Sequence, residues 1–294
     1  MASHRLRARE AAAGYLFLTP NLLGFLIFSA FPVVASLLLS FADWDLITAP
    51  QAAGVSNYTR LVDDPVFWKS LYNTLYYTVG SVPLTIGLGL LLALALNGKT
   101  RGLYGYRAAF FLPVVASSVS VALIWQWLLD RDIGLINYVL SLVGIEPIPW
   151  LTSTRWAMPS VIMVAVWKNL GYNMVILLAA LQEVPRELYE AAVVDGATPW
   201  QAVRRITIPL ITPSIFFVTV TSIIGSFQVF ELTSVLTRGG PANATNTLVM
   251  FIYQYAFQSF QMGYASAAAY ALFAIILAVT AVQFATSKRW VYQQ

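Results

Sequence analysis

The chain has 294 residues, of which 59% are hydrophobic and only 10% charged, with a formal net charge of +4; its mean hydropathy is +0.70. Soluble domains run at about 45–50% apolar and about 25% charged, so these residues could not be covered in water, and a disordered chain would need low hydrophobicity and high net charge. With no cysteine and a single histidine, His4, disulfide frameworks, thiolate or multi-His metal sites and His-based catalytic triads are excluded, which leaves a polytopic helical membrane protein.

A membrane-crossing helix needs about 20 mostly apolar residues. Six stretches qualify, at about 15–41, 71–96, 108–129, 156–181, 209–236 and 264–285. The first exceeds the roughly 7–15-residue apolar core of a cleavable signal peptide. The second carries Gly80, Pro83, Gly87 and Gly89, and the third carries Pro113, which predicts kinked, closely packed helices. Between them, Gly98-Lys99-Thr100 resembles the end of a phosphate-binding loop. That pattern needs a glycine five positions before Gly98, and Ala93 stands there, so the segment reads as a basic turn.

The fourth stretch holds Lys168, followed by Asn169, Tyr172 and Asn173. A charge at membrane depth costs about 2.5–3.5 kcal/mol on insertion scales and turns toward a cavity or a partner. Lys168 is read as making a structural ion pair or carbonyl contact sooner than a ligand contact. Asn169 and Asn173 share a helix face with Tyr172 beside them, and two readings stand: bonding the hydroxyls of a ligand, or interhelical polar contact. In the fifth stretch Ser226, Gln228 and Glu231 form a second polar cluster. Glu231 could pair with Lys168 only if the two helices are suitably offset.

Lysine and arginine fall unevenly between the stretches. Arg5, Arg7, Arg9, Lys99, Arg101, Arg107, Arg186, Arg204, Arg205, Lys288 and Arg289 lie on one side, against Arg60, Lys69, Arg131, Arg155 and Arg238 on the other. The positive-inside rule makes the first side, with both termini, cytoplasmic. External stretches at about 42–70, 130–155 and 237–263 are long enough to form a partner surface, and Trp44, Trp68, Trp150, Trp156 and Trp290 fall near span ends as interfacial aromatics do. No repeat or linker divides the chain, so one domain over 1–294 is expected.

The internal stretch at about 185–208 carries helix signals of its own. Pro185 suits a first helical position, with Glu187 and Glu190 near the positive helix end. Leu188, Ala191 and Ala192 follow at helical spacing, and Gly196 is a natural stop. Thr198-Pro199-Trp200-Gln201 then restarts a helix with a capping box. Two short helices with a turn at Asp195-Gly196 are predicted.

Glu190-Ala191-Ala192, Asp195-Gly196-Ala197, Ile206, Pro209 and Pro213 resemble the EAA motif of permease subunits from binding-protein-dependent ABC importers. The run Trp167-Lys168-Asn169-Leu170-Gly171-Tyr172-Asn173-Met174, the run LQEVPRELYEAA from Leu181, and Gly239-Gly240-Pro241-Ala242-Asn243-Ala244-Thr245 are similar to the carbohydrate-uptake branch. So are FLTPNLLGFLIFSAFP…LSFADWDL and NTLYYTVGSVPL. Within that branch the chain resembles a maltose-type or glycerol-3-phosphate-type first permease.

The resemblance implies an all-α integral membrane protein of the cell membrane, with six transmembrane helices and a cytoplasmic two-helix coupling loop, the type I permease fold of ABC importers. It implies that Glu190, Ala191, Ala192, Asp195 and Gly196 dock on a separate ATPase. Asn169, Tyr172, Asn173, Gln228 and Glu231 are the substrate-path candidates. No catalytic residue, metal or bound cofactor is expected, since ATP and magnesium belong to partner subunits. Those partners are a second permease forming a heterodimer, two ATPases, an external solute-binding protein and membrane lipid, with no nucleic acid. Val203 departs from the family, which often has an aromatic there, and Trp200 is the residue that could fill the space. A sugar or oligosaccharide is the expected cargo, with glycerol 3-phosphate or a polyol as the alternative. An ion-coupled secondary transporter would carry internal repeats and intramembrane carboxylates, of which only Glu231 is present.

Overall fold

The computed structural model describes residues 2–98 and 102–292, with side chains from residue 13 onward. Lys99, Thr100 and Arg101 lie outside the described residues, as do the side chains of His4, Arg5, Arg7 and Arg9. The helices in chain order are α1 (Ala2–Phe25), α2 (Phe31–Leu39), α3 (Ser56–Asp63), α4 (Pro65–Ala95), α5 (Leu103–Val115), α6 (Ser118–Leu128), α7 (Leu135–Leu142), α8 (Ala157–Glu183), α9 (Arg186–Val194), α10 (Pro199–Ala202), α11 (Ile208–Leu210), α12 (Thr212–Phe227), α13 (Glu231–Leu236), α14 (Leu248–Tyr253) and α15 (Met262–Ser287). π-Helical turns at Leu26–Ala30 and Val203–Thr207 join α1 to α2 and α10 to α11, and a third at Gln254–Gln258 extends α14. Strands β1 (Ala42–Asp43) and β2 (Gln51–Ala52) pair antiparallel, Ala42 opposite Ala52.

Four helical stretches are long and apolar enough to cross a membrane, Ala13–Leu39, Pro65–Ala95, Ala157–Glu183 and Met262–Ser287; six spans result if each of two bent pairs is one. The predicted third stretch is the pair α5 and α6, bent by 98°. Ala116 and Ser117 are extended at the break, with ψ of 142° and 132°, and the serines that follow Ala116 favour helix ends over interiors. The predicted fifth stretch also departs from one continuous helix. Residues 199–210 and α12 meet at 64°, and α12 stops at Phe227 before α13 begins at Glu231.

The chain packs as two compact units, the first running to Asp63 and taking in Ile252–Ala271, the second Asp64–Phe251 with the residues from Leu272 onward. In the first, buried Asn57 donates to Ser40 O at 3.1 Å and Ala42 O at 2.9 Å, satisfying a carbonyl that α2 leaves open at its end and tying that end to β1. The Arg60 guanidinium sits 4.1 Å from the centre of the Tyr264 ring.

In the second unit, Asp64 caps α4 by accepting from Val66 N at 2.7 Å, with Pro65 in the first turn. Ser70, Thr74, Thr78, Ser81 and Thr85 each donate to the carbonyl four residues back. These hydroxyls are thereby satisfied within α4, and the face they share buries them. The most extensive helix pairing of the unit is α4 with α8. Two apolar clusters draw on α8: one gathers Val161, Val164 and Ala165 with Ala122, Leu129, Leu232 and Leu236. The other gathers Met174, Leu177 and Leu181 with Ala93, Ile211 and Val218. Gly171 is obligatory where α5 crosses α8, because a side chain there would overlap Phe110 O. The segment after α13 is pinned to α4 by Asn73, which donates to Asn243 O at 2.7 Å and Asn246 O at 2.9 Å.

Candidate functional site

Two regions carry the predicted site residues, both within the second unit. The first is the knuckle from α9 to α11. Pro185 precedes α9 as its cap, one position earlier than the sequence suggested. At the other end, Ala197 N donates to Ala192 O at 2.8 Å and Gly196 N to Val193 O at 3.0 Å, the paired bonds of a Schellman stop. Gly196 stands at φ +75°, a left-handed conformation that costs a glycine nothing. The restart is the capping box: Thr198 Oγ1 accepts from Gln201 N at 3.3 Å, and Gln201 Oε1 accepts from Thr198 N at 2.7 Å. Tyr189 and Thr207 hydroxyls bond at 2.8 Å and tie α9 to the turn beyond α10.

This bracing fixes what the knuckle displays. Glu190, Ala191, Asp195 and Gly196 are exposed, whereas Ala192 is turned inward and buried. Val193, Val194 and Trp200 are 73%, 87% and 68% exposed. Trp200 therefore projects outward instead of filling the space beside Val203, which is half-buried.

The second region is a pair of neighbouring cavities between α4, α8, α12 and α13. One, of about 300 Å3, is lined by Tyr77, Ser81, Thr85, Asn169, Tyr172, Asn173, Ser222 and Ser226 among others. The next, of about 310 Å3, shares Tyr77, Asn169 and Gly225 and adds Lys168, Gln228 and Glu231. All five substrate-path candidates thus come together here. The sequence reading missed Tyr77, Ser81, Thr85 and Ser222; for the first three the signal available was the run of hydroxyls recurring along one face of α4.

The candidates differ in how their polar groups are engaged. Asn173 is buried and donates to Ser222 Oγ at 3.4 Å, and Ser226 donates to Thr78 Oγ1 at 2.9 Å; these are contacts between helices. Asn169 donates to Ala165 O at 2.9 Å on its own helix, and among the described residues its side-chain carbonyl accepts no hydrogen bond. Asn169, Tyr172, Gln228 and Glu231 are exposed to the cavity side. Lys168 is buried, and its ammonium donates to Ala116 O at 3.2 Å. The pairing with Glu231 is not formed: the two groups line one cavity, and the lysine is held by the carbonyl that the break between α5 and α6 leaves without a helical donor. A backbone carbonyl stripped of its partner away from water is costly, so the lysine belongs to the architecture of the bend.

Among the described residues no group of three or more histidine, cysteine or acidic side chains could hold a metal. Hydroxyls and amides thus line two cavities between the helices, and the long apolar helices are of the kind that cross membranes. Residues 85–292 match the family described as binding-protein-dependent transport system inner membrane component, and the chain belongs to that family. It is 38% identical over 299 residues to a probable ABC transporter permease protein, YesP, of Bacillus subtilis (strain 168), covering 100% of this chain and 96% of that protein. It is 37% identical to the lactose transport system permease protein LacF of Rhizobium radiobacter, covering 92% of each. Its fold matches a chain in the crystal structure of a bacterial ABC transporter involved in import of the acidic polysaccharide alginate, with a TM-score of 0.86, 27% identity, and coverage of 97% and 99%.

Proposed function

We propose that this chain is one permease subunit of an ATP-driven importer of sugars or oligosaccharides. The observation that carries the reading is the pair of cavities, where hydroxyl and amide groups from α4, α8 and α12 line a space inside apolar helices. A saccharide presents donors and acceptors around its whole rim, and such a lining can replace its water. The lactose permease among its relatives supports the same solute class.

The chain forms half of the pathway, and a second permease subunit supplies the other half as a heterodimer. The knuckle is the coupling element. Glu190, Ala191, Asp195 and Gly196 at its exposed surface, with Ala192 setting its inner packing, dock on an ATPase subunit. The exposed Val193, Val194 and Trp200 supply apolar contact that water does not satisfy. Two ATPase subunits bind the ATP and magnesium, and this chain binds neither. An external solute-binding protein delivers the sugar, both termini face the cytoplasm, and lipid covers the outer apolar faces. ATP and the loaded binding protein act through one equilibrium, each binding the outward-facing state more tightly and so favouring the other.

The test is a mild-detergent purification from native membranes through a C-terminal tag, with mass spectrometry of the chains that co-purify. Recovery of a second permease, an ATPase and a binding protein is expected. Recovery of this chain alone, from membranes whose uptake needs no ATP, would overturn the proposal in favour of an ion-coupled transporter.

A further inference from the structure

We infer that the cavity beside α13 takes an uncharged saccharide, and that Glu231 is the residue that turns anionic ones away; the inference rests on the sugar-import reading above. The fold leaves substrate charge open, since the matched crystal structure is that of an importer of an acidic polysaccharide. The lining is what decides. Beside its apolar wall, Tyr77, Ser118, Asn169 and Gln228 bring hydroxyl and amide groups that offer bonds to a neutral ring.

Two charged groups line this space, and they are placed unequally. Lys168 is 9% exposed and its ammonium, which keeps its charge, donates to Ala116 O at the bend between α5 and α6, so it is the less accessible of the two. Glu231 is exposed on the cavity, and among the described residues its carboxylate has no ion pair or hydrogen bond. A uronate or phosphate entering beside it meets a like charge at short range, which is repulsive. A neutral saccharide meets an acceptor for its hydroxyls. Discrimination between two ligands of one shape commonly rests on such a repulsive element.

The test uses the purified complex of permeases and ATPases without its binding protein, so that only the permease cavity selects. Equilibrium dialysis compares labelled neutral saccharides (lactose, maltose, trehalose and maltotriose) with di- and triuronates of matching length. Neutral saccharides are expected to bind and uronates to bind at least about tenfold more weakly, a difference of about 1.4 kcal/mol. Glu231→Gln is expected to raise the uronate-to-neutral binding ratio by about the same factor. Glu183→Gln, which removes a carboxylate at the far end of α8, leaves that ratio unchanged. Uronates binding as well as neutral saccharides in the unaltered complex, or a ratio indifferent to Glu231→Gln, overturns the inference while leaving sugar import standing. Failure of every saccharide to bind removes the sugar reading, and the inference with it.

Discussion

The knuckle and the cavities break the rule of apolar inside, polar outside in opposite senses. At the knuckle, Val193, Val194 and Trp200 stand in the open on a segment otherwise held by caps and a Schellman stop. In the cavities, hydroxyls and amides are sunk between helices whose outer faces are apolar. An exposed apolar surface on rigid backbone wants a partner, and an enclosed polar surface wants a polar occupant. The two also differ in origin. The knuckle is made by bonds between residues no more than about twenty positions apart, whereas the cavities need α4, α8, α12 and α13 brought together across the chain. Substitutions should therefore separate the two: damage at the knuckle stays local, and damage to the packing around the cavities spreads.

The largest effect is expected from Gly171→Leu. The added side chain would overlap Phe110 O, and a backbone atom cannot step aside as a flexible side chain does. Forcing α5 off α8 costs about 3 kcal/mol or more, at the upper end of overpacking effects. The check is thermal denaturation in detergent by tryptophan fluorescence, and a melting temperature equal to that of the unaltered protein would refute the close crossing.

At the knuckle, Gly196→Pro replaces a residue at φ +75° by one fixed near −65°, and Glu190→Lys reverses a charge on the exposed face. Glu190→Lys should leave the melting temperature of the complex near its original value, whereas Gly196→Pro, which also removes the donor to Val193 O, should lower it. Coupling should fall within the range of about 5–150-fold typical of linked sites, read as the loss of binding-protein-stimulated ATP hydrolysis. Normal stimulation in either variant would count against docking through these residues.

Lys168→Met tests the seam between the two kinds of construction. It keeps most of the side-chain volume and removes the donor to Ala116 O. Ala116 is itself exposed, so the loss should lie toward the lower end of the roughly 1–3 kcal/mol that an unsatisfied buried acceptor costs, and Lys168→Arg, which retains donors, should recover part of it. The same denaturation measurement decides, and full stability of Lys168→Met would show that the carbonyl finds another donor.

The sequence made the knuckle legible almost residue by residue, because its determinants are local. The capping box at Thr198 and Gln201 and the stop at Gly196 follow from backbone rules that act over a few positions; Pro185 moved by one, and Trp200, which could have filled the space beside Val203, projects outward. The spans were legible as apolar stretches but not in their continuity. The break at Ala116-Ser117 is stabilised by Lys168, 52 positions away in the chain, and no local signal announces such a donor. The cavity was half legible. Asn169, Tyr172, Asn173, Gln228 and Glu231 were found because polar residues are conspicuous in apolar stretches. Ser81 and Thr85 were passed over because serine and threonine hide well in a helix by bonding their own backbone. Nothing in the order of residues distinguishes Asn173, which bonds Ser222, from Asn169, whose side-chain carbonyl accepts no hydrogen bond among the described residues; that depends on where α12 lies.

The smallest expected effect gives the cleanest separation of the two regions. Thr198→Ala removes one half of the capping box, the bond from Gln201 N to Thr198 Oγ1 at 3.3 Å, and such caps contribute about 1 kcal/mol. The Gln201 side chain still accepts from Thr198 N, and the Tyr189–Thr207 bond still ties α9 to the turn beyond α10, so α10 frays without detaching. Hydrogen exchange followed by mass spectrometry should show about fivefold faster exchange over residues 198–203, the rate equivalent of about 1 kcal/mol. Peptides from α4 and α8, which build the cavity walls, should exchange at their original rates. Faster exchange spreading into α8 would mean that the knuckle and the cavity form one cooperative unit. A perturbation confined to the knuckle would leave docking and solute binding as two separately adjustable properties, linked only when an ATPase engages the exposed face.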